Sequence, residues 1–301
     1  LCRPGFVGTA ISFFFVPAYV LAQKLSVCSL RRRTFLSISR QKIRMPRRHG
    51  PGRSHRALYS SQRSGFALSK AVILSRYIKP EWLDLTVEYW AEHQDPKQTR
   101  ERLNRYLAER IESPDTLSKT REILIHTWVE VEDSLVPLRD LGISVYLACP
   151  VGERVAVHWT MMLAVFPLFR DICGVVGKLS SIQEEFSASQ IRRRIFELWG
   201  ERATLFYALE KNIRTLKEFG AIRSIKPGIY QRGNIPIRDN RVVEFMLCGT
   251  IVGGQKLYQS IAEFERQKEL FPFEFTANLE GLIHSKRIKL DRVGGELVAS
   301  L

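Results

Sequence analysis

A mainly α fold, with a helical N-terminal domain, a helix-turn-helix and small β hairpins, is what the sequence predicts. Three observations carry that expectation. Apolar residues recur at helical spacing from Phe66 onward. Prolines and small polar residues stand where those patterns begin, and short alternating runs surround a Pro-Gly and a Gly-Gly turn after residue 220.

The first pattern, FALSKAVILSRYI, sets Leu68, Ala71, Val72 and Ser75 at helical spacing and stops at Pro80. PEWLDLTVEYWAEH opens a second helix at Pro80, with Leu83, Val87 and Trp90 on one side. In DPKQTRERLNRYLAERI, Asp95 is a capping residue followed directly by Pro96, and Leu103, Leu107 and Ile111 form the apolar stripe. SPDTLSKTREILIHTWVEVEDSLVPL takes Ser113 or Asp115 as its cap and turns Leu117, Ile123, Leu124, Thr127 and Trp128 inward. Residues 66–150 thus make a four-helix domain. ISVYLACPVG, after Gly142, fits a short strand or a buried helix end equally well. The run RVAVHWTMMLAVFPLFRDICGVVGKL is apolar on nearly every side, but Arg154, His158, Arg170, Asp171 and Lys178 interrupt it. It reads as a core helix kinked or split at Pro167 rather than a membrane span.

In residues 151–240 the helix near Met161 to Lys178 precedes two amphipathic ones. Ser187 or Ser189 caps a helix from Ala188 to Trp199 with Ile191, Ile195 and Leu198 inward, and Gly200 allows the turn. A second helix runs from about Glu201 to Phe219 and ends at Gly220. Its Leu205, Leu209, Ile213 and Leu216 fall within about 80° of one another on the helical wheel. The opposite face gathers Thr204, Tyr207, Lys211, Arg214, Thr215 and Glu218, a set suited to phosphates and base edges. AIRSIKPGIYQRGNIPI then alternates Ile222, Ile225 and Ile229 with polar residues about a Lys226-Pro227-Gly228 turn. Helix, helix and hairpin in this order spell a winged helix-turn-helix, with Arg223, Lys226 and Arg232 as wing cations. From Ala188 to Arg232 ten cations face four acids, which favours nucleic acid. Arg192 and Arg193 join the expected contact set; the blander reading has Arg192, Arg193 and Arg194 solvated or paired with Glu197 and Glu201.

Residues 241–301 read as a helix interrupted at Gly253-Gly254, a second helix, a short helix, and strands RIKL and ELVAS joined around Gly294-Gly295. Lys286, Arg287, Lys289 and Arg292 lie near that hairpin. It is either the wing of a second winged helix or a hairpin completing a neighbouring sheet.

The formal net charge of +15 is unevenly spread. Residues 1–80 hold 16 of the 46 Lys/Arg and no acid, leaving 30 to face all 31 Asp/Glu. The body is neutral, so only local clusters can argue for a nucleic-acid partner. Residues 1–65 form a basic tail. Within it, GFVGTAISFFFVPAYVLA (5–22) is uncharged over 18 residues but interrupted by Pro17. Upstream sequence from an over-extended reading frame is the preferred account, ahead of a targeting segment or an anchor. Residues 46–65 read as a solvated linker. The five cysteines are widely separated, which suits reduced core thiols in a cytoplasmic protein.

Signatures of chemistry are missing. The chain has no H-E-x-x-H and no G-x-S-x-G; GVVGKLS (174–180) lacks P-loop spacing, and His126 and His158 sit beside tryptophans as core residues would. No enzyme, cofactor or metal is expected, and a membrane is not the expected partner. The helical part containing DPKQTRERLNRYLAERI, the long apolar helix, and IRTLKEFGAI before a wing resemble the BrxA proteins of BREX phage-exclusion systems over about residues 66 to 235, with a longer C-terminal part here. The resemblance implies a non-catalytic, double-stranded-DNA-binding component of a bacterial defence system, with other defence-system proteins as further partners. The rival is a protein adaptor, which an exposed patch around Phe271, Phe273 and Phe275 would favour.

Overall fold

Pro80 is where the chain turns helical, not where a helix stops. The structure, a computed structural model, describes residues 74–301. The helix expected over residues 66–79 lies partly outside the described residues, and 74–79 are not helical. The residue before a proline is pushed out of the helical region, and Lys79 has φ −103° and ψ 146°. Leu74 and Ile78 are nevertheless fully buried.

Three helices follow: α1 (Pro80–His93), α2 (Pro96–Ala108) and α3 (Pro114–Trp128). The Asp95 carboxylate caps α2 by accepting from the Lys97 and Gln98 N–H groups, and the Ser113 hydroxyl caps α3. Their inner residues are those of the apolar pattern, with Leu83, Val87, Leu103, Leu107, Ile123 and Leu124 buried. The long helix expected after Ser113 breaks at Val129. A 3-10 turn at Asp133–Leu135 then leads into α4 (Val136–Ala148), opened by Pro137. The ambiguous stretch after Gly142 is therefore a helix end. Gly142 lies under the Phe245 ring, where a Cβ would stand 2.8 Å from it.

Pro167 divides the apolar run into α5 (Arg154–Val165) and α6 (Pro167–Ser180), bent by 117° across the break. A proline cannot continue the hydrogen-bond ladder of the preceding turn. Among the described residues no single helix is long and apolar enough to cross a membrane. Every residue from Ala156 to Leu163 is buried within the protein.

The first sheet unit comprises β1 (Glu185–Ser187), α7 (Ala188–Trp199), α8 (Ala203–Glu218), β2 (Ile222–Lys226) and β3 (Ile229–Arg232). The sheet is antiparallel in the order β1-β3-β2, with Phe186 opposite Tyr230. Ser187 and Gln190 form a reciprocal capping box at the start of α7. Glycine follows three of these elements: Gly200 after α7, Gly220 after α8 and Gly228 after β2 all have φ between 69° and 77°.

After β4 (Ile235–Pro236) come α9 (Asn240–Gly253), β5 (Gln259–Ser260), α10 (Ile261–Phe264), β6 (Phe273–Glu274), α11 (Leu279–Ile283), β7 (Lys289–Val293) and β8 (Glu296–Ser300). The helix expected after Gly254 is thus one turn long. β5, β8 and β7 form an antiparallel sheet in the order β5-β8-β7, while β4 pairs with β6 in parallel. The series α6, β1, α7, α8, β2, β3 recurs as α9, β5, α10, α11, β7, β8, with a 3-10 turn and β6 inserted between α10 and α11. In both sheets the second hairpin strand lies between the first hairpin strand and the early strand.

One aromatic cluster ties the units together. Trp159 meets Phe169, Phe219, Phe271 and Phe273 at ring distances of 5.2 to 5.9 Å. Its indole N–H donates to the Glu269 carbonyl at 2.9 Å.

Candidate nucleic-acid interface

The apolar stripe of α8 is buried as its spacing requires: Leu205, Leu209, Ile213 and Leu216 all face the core. That leaves Thr204, Tyr207 and Arg214 exposed and Lys211 half-buried on the other side, with Tyr207 67 % exposed.

Thr215 does not belong to that face. It is fully buried, its hydroxyl donating to the Lys211 carbonyl at 3.1 Å and accepting the Ile78 N–H at 2.9 Å. On a helical wheel Thr215 borders Lys211 and Arg214, but the non-helical segment 74–79 lies along this flank and covers it. Asn212, also buried, donates to the Leu74 carbonyl at 2.9 Å. Tyr77 stacks on Arg214, with 3.6 Å between the guanidinium carbon and the ring centre. The segment is a strap, with two of its backbone groups, the Leu74 carbonyl and the Ile78 N–H, bonded by side chains of α8. Composition gave no sign of it; the clue was a polar Asn212 set among Leu209, Ile213 and Leu216.

The arginines of α7 have unlike surroundings. Arg192 bonds Glu210 at 3.1 Å and lies over the Phe206 ring at 4.5 Å. Arg193 is 68 % exposed and 4.0 Å from Glu197, and Arg194 is 3.1 Å from the same carboxylate. On α8, Arg214 is 3.5 Å from Glu218. Glu197 was an expected partner, whereas Glu210 was not. Leu198, expected inside, is 57 % exposed. Trp199 takes the inward position of that last turn, its indole donating to Asp171 at 2.9 Å.

On the hairpin, Arg223, Lys226 and Arg232 are exposed. Arg223 donates to the Gln231 side chain at 2.7 Å. Among the described residues no carboxylate lies within ion-pair distance of Lys211, Lys226 or Arg232, nor of Arg202 or Lys217, which flank the same helix. Exposed ion pairs are worth about 0.2–1 kcal/mol, less than the roughly 1.5–3 kcal/mol of a hydrogen bond to a charged group. The pairing of Arg193 therefore leaves it able to turn to a phosphate, whereas Arg192 over Phe206 and Arg214 over Tyr77 are held by stacking as well.

Among the described residues no group of three or more His, Cys, Asp or Glu is placed to share a metal ion. Phe271 and Phe273 are buried and Phe275 packs on Phe264, so these phenylalanines form no exposed patch. No protein-family model, curated protein or solved structure matches the chain.

Proposed function

We propose that residues 167–232 are a winged helix that binds duplex DNA, and that the chain serves without catalysis as a DNA-binding component of a BREX-like phage-exclusion system. The observation that carries this reading is the order helix, strand, helix, helix, hairpin, with the polar face of α8 leading directly into a cationic hairpin. In the mechanism α8 enters the major groove. Lys211 and Arg214 meet phosphate or guanine, Thr204 and Tyr207 set the register, and Arg223, Lys226 and Arg232 touch the backbone. The defence-system assignment rests on the resemblance alone.

A second reading, a winged helix that docks a protein, is favoured by the exposure of Leu198, Tyr207 and Ile225 and by the arginine–glutamate pairs. The deciding experiment is binding to a random 30-base-pair duplex at two salt concentrations, for the full chain, the chain from Phe66, and a Lys211→Glu/Arg214→Glu variant of each. Affinity that falls steeply with salt and is lost in the variant supports the α8 contact. If the full chain binds but the chain from Phe66 does not, the basic tail holds the DNA and the winged helix is left to a protein; if neither binds, the DNA reading falls.

A further inference from the structure

The second sheet unit repeats the topology of the first but differs in the two places a duplex would touch. α8 has 16 residues and α11 has five. At 1.5 Å per residue α11 is about 8 Å long, too short to follow a groove. Leu279 and Ile283 are exposed on it, where base or phosphate contact would need donors.

The hairpin differs in the opposite sense. Residues 240–301 hold eight cations and eight acids, but the ten from His284 to Val293 hold four cations, Lys286, Arg287, Lys289 and Arg292, and one acid, Asp291. Arg287 is 3.8 Å from Glu244. Lys286, Lys289 and Arg292 are exposed, with no carboxylate in ion-pair range among the described residues. β7, which carries two of them, is an edge strand paired only with β8 and exposed at four of its five positions. Gly294 and Gly295, at φ 60° and 87°, supply the left-handed turn that holds the two strands as a tight ribbon.

We infer that this hairpin is a second duplex contact, holding phosphates through Lys286, Lys289 and Arg292 while α11 reads no bases. The inference rests on the DNA binding proposed above and adds a sequence-independent share to it. Neutralising three phosphate contacts should lower the slope of log affinity against log salt by about 2–3, since each contact releases about 0.9 counterion.

The test uses the full chain and a 30-base-pair duplex over a salt series. One variant is Lys286→Gln/Lys289→Gln/Arg292→Gln. Its control is Lys97→Gln/Arg105→Gln/Lys119→Gln, an equal charge change on the exposed surface of α2 and α3. The expected result is a reduced slope for the hairpin variant alone, restored by Lys286→Arg/Lys289→Arg/Arg292→Lys, with discrimination between duplex sequences unaltered. Equal slopes for hairpin variant and control overturn the inference but leave the α8 reading standing. Self-association of the hairpin variant with an unchanged slope also overturns it, and gives the cations the role of guarding an edge strand. Absence of binding by the unaltered chain overturns both readings.

Discussion

The Ile78 N–H donates to the Thr215 hydroxyl at 2.9 Å, across 137 residues of sequence, and fastens the strap 74–79 to the last turn of α8. Both groups are buried, so removing the hydroxyl leaves a backbone donor without a partner. Thr215→Val should cost about 1–3 kcal/mol in denaturant unfolding, the penalty of an unsatisfied buried group. Duplex affinity of the folded protein should not change. A loss of affinity without a loss of stability would mean that Thr215 reaches the ligand.

Gly177 tests the junction between the units. A Cβ on it would meet the Lys268 carbonyl oxygen at 1.9 Å, which α6 can avoid only by moving away from the 268–271 turn. Gly177→Ala should therefore destabilise by about 1–3 kcal/mol, the usual cost of overpacking. Gly174→Ala is the comparison, because its new methyl would meet only the flexible Glu269 carboxylate, at 3.3 Å. Equal unfolding midpoints for the two variants would show that the junction yields easily.

The fold should weaken with acid through His158. Its ring is fully buried between Trp128 and Tyr146, with Nε2 3.2 Å from the Asp84 carboxylate. Burial lowers its pKa below the ordinary imidazole value, and Arg154 pushes the same way against the opposing pull of Asp84 and Glu88. The unfolded chain then binds the proton more readily than the folded one. Stability is complete above about pH 6.5 and declines as pH falls from there toward the folded value. Urea unfolding between neutral pH and about pH 5 should show this slope, and His158→Phe should flatten it. A slope that survives the substitution would assign the acid sensitivity to other groups.

Four helix starts were legible because each is written in one or two residues: Pro80, Asp95-Pro96, Ser113 or Asp115 about Pro114, and Ser187 or Ser189; the start of α4 was not, because the pattern of α3 runs on into it. Both long hairpins were legible for the same reason, since Gly228 and Gly294-Gly295 mark their turns. The strap was not. Its apolar spacing resembles a helix, and the partners that hold it in place, Asn212 and Thr215, come from far along the chain. β1 and β5 escaped notice because strands of three and two residues have no period of their own. The ionic surroundings of the candidate site were hidden too, because Arg192 finds Glu210 only when α7 folds against α8.

Neighbouring arginines on α7 separate structure from binding. Arg192 lies over Phe206 and bonds Glu210, with its Nε buried, so Arg192→Gln removes packing as well as charge. A cost of about 1 kcal/mol in stability is expected, with little change in the salt dependence of duplex binding. Arg193 is mostly exposed and makes one weak pair with Glu197. Arg193→Gln should leave unfolding unchanged and, if α7 borders the duplex, lower the salt slope by about 1. Unfolding curves and salt titrations on the two variants measure both quantities. A stability loss at Arg193, or a slope change at Arg192, would reverse these roles and move the contact surface from the flank of α8 toward the α7–α8 interface.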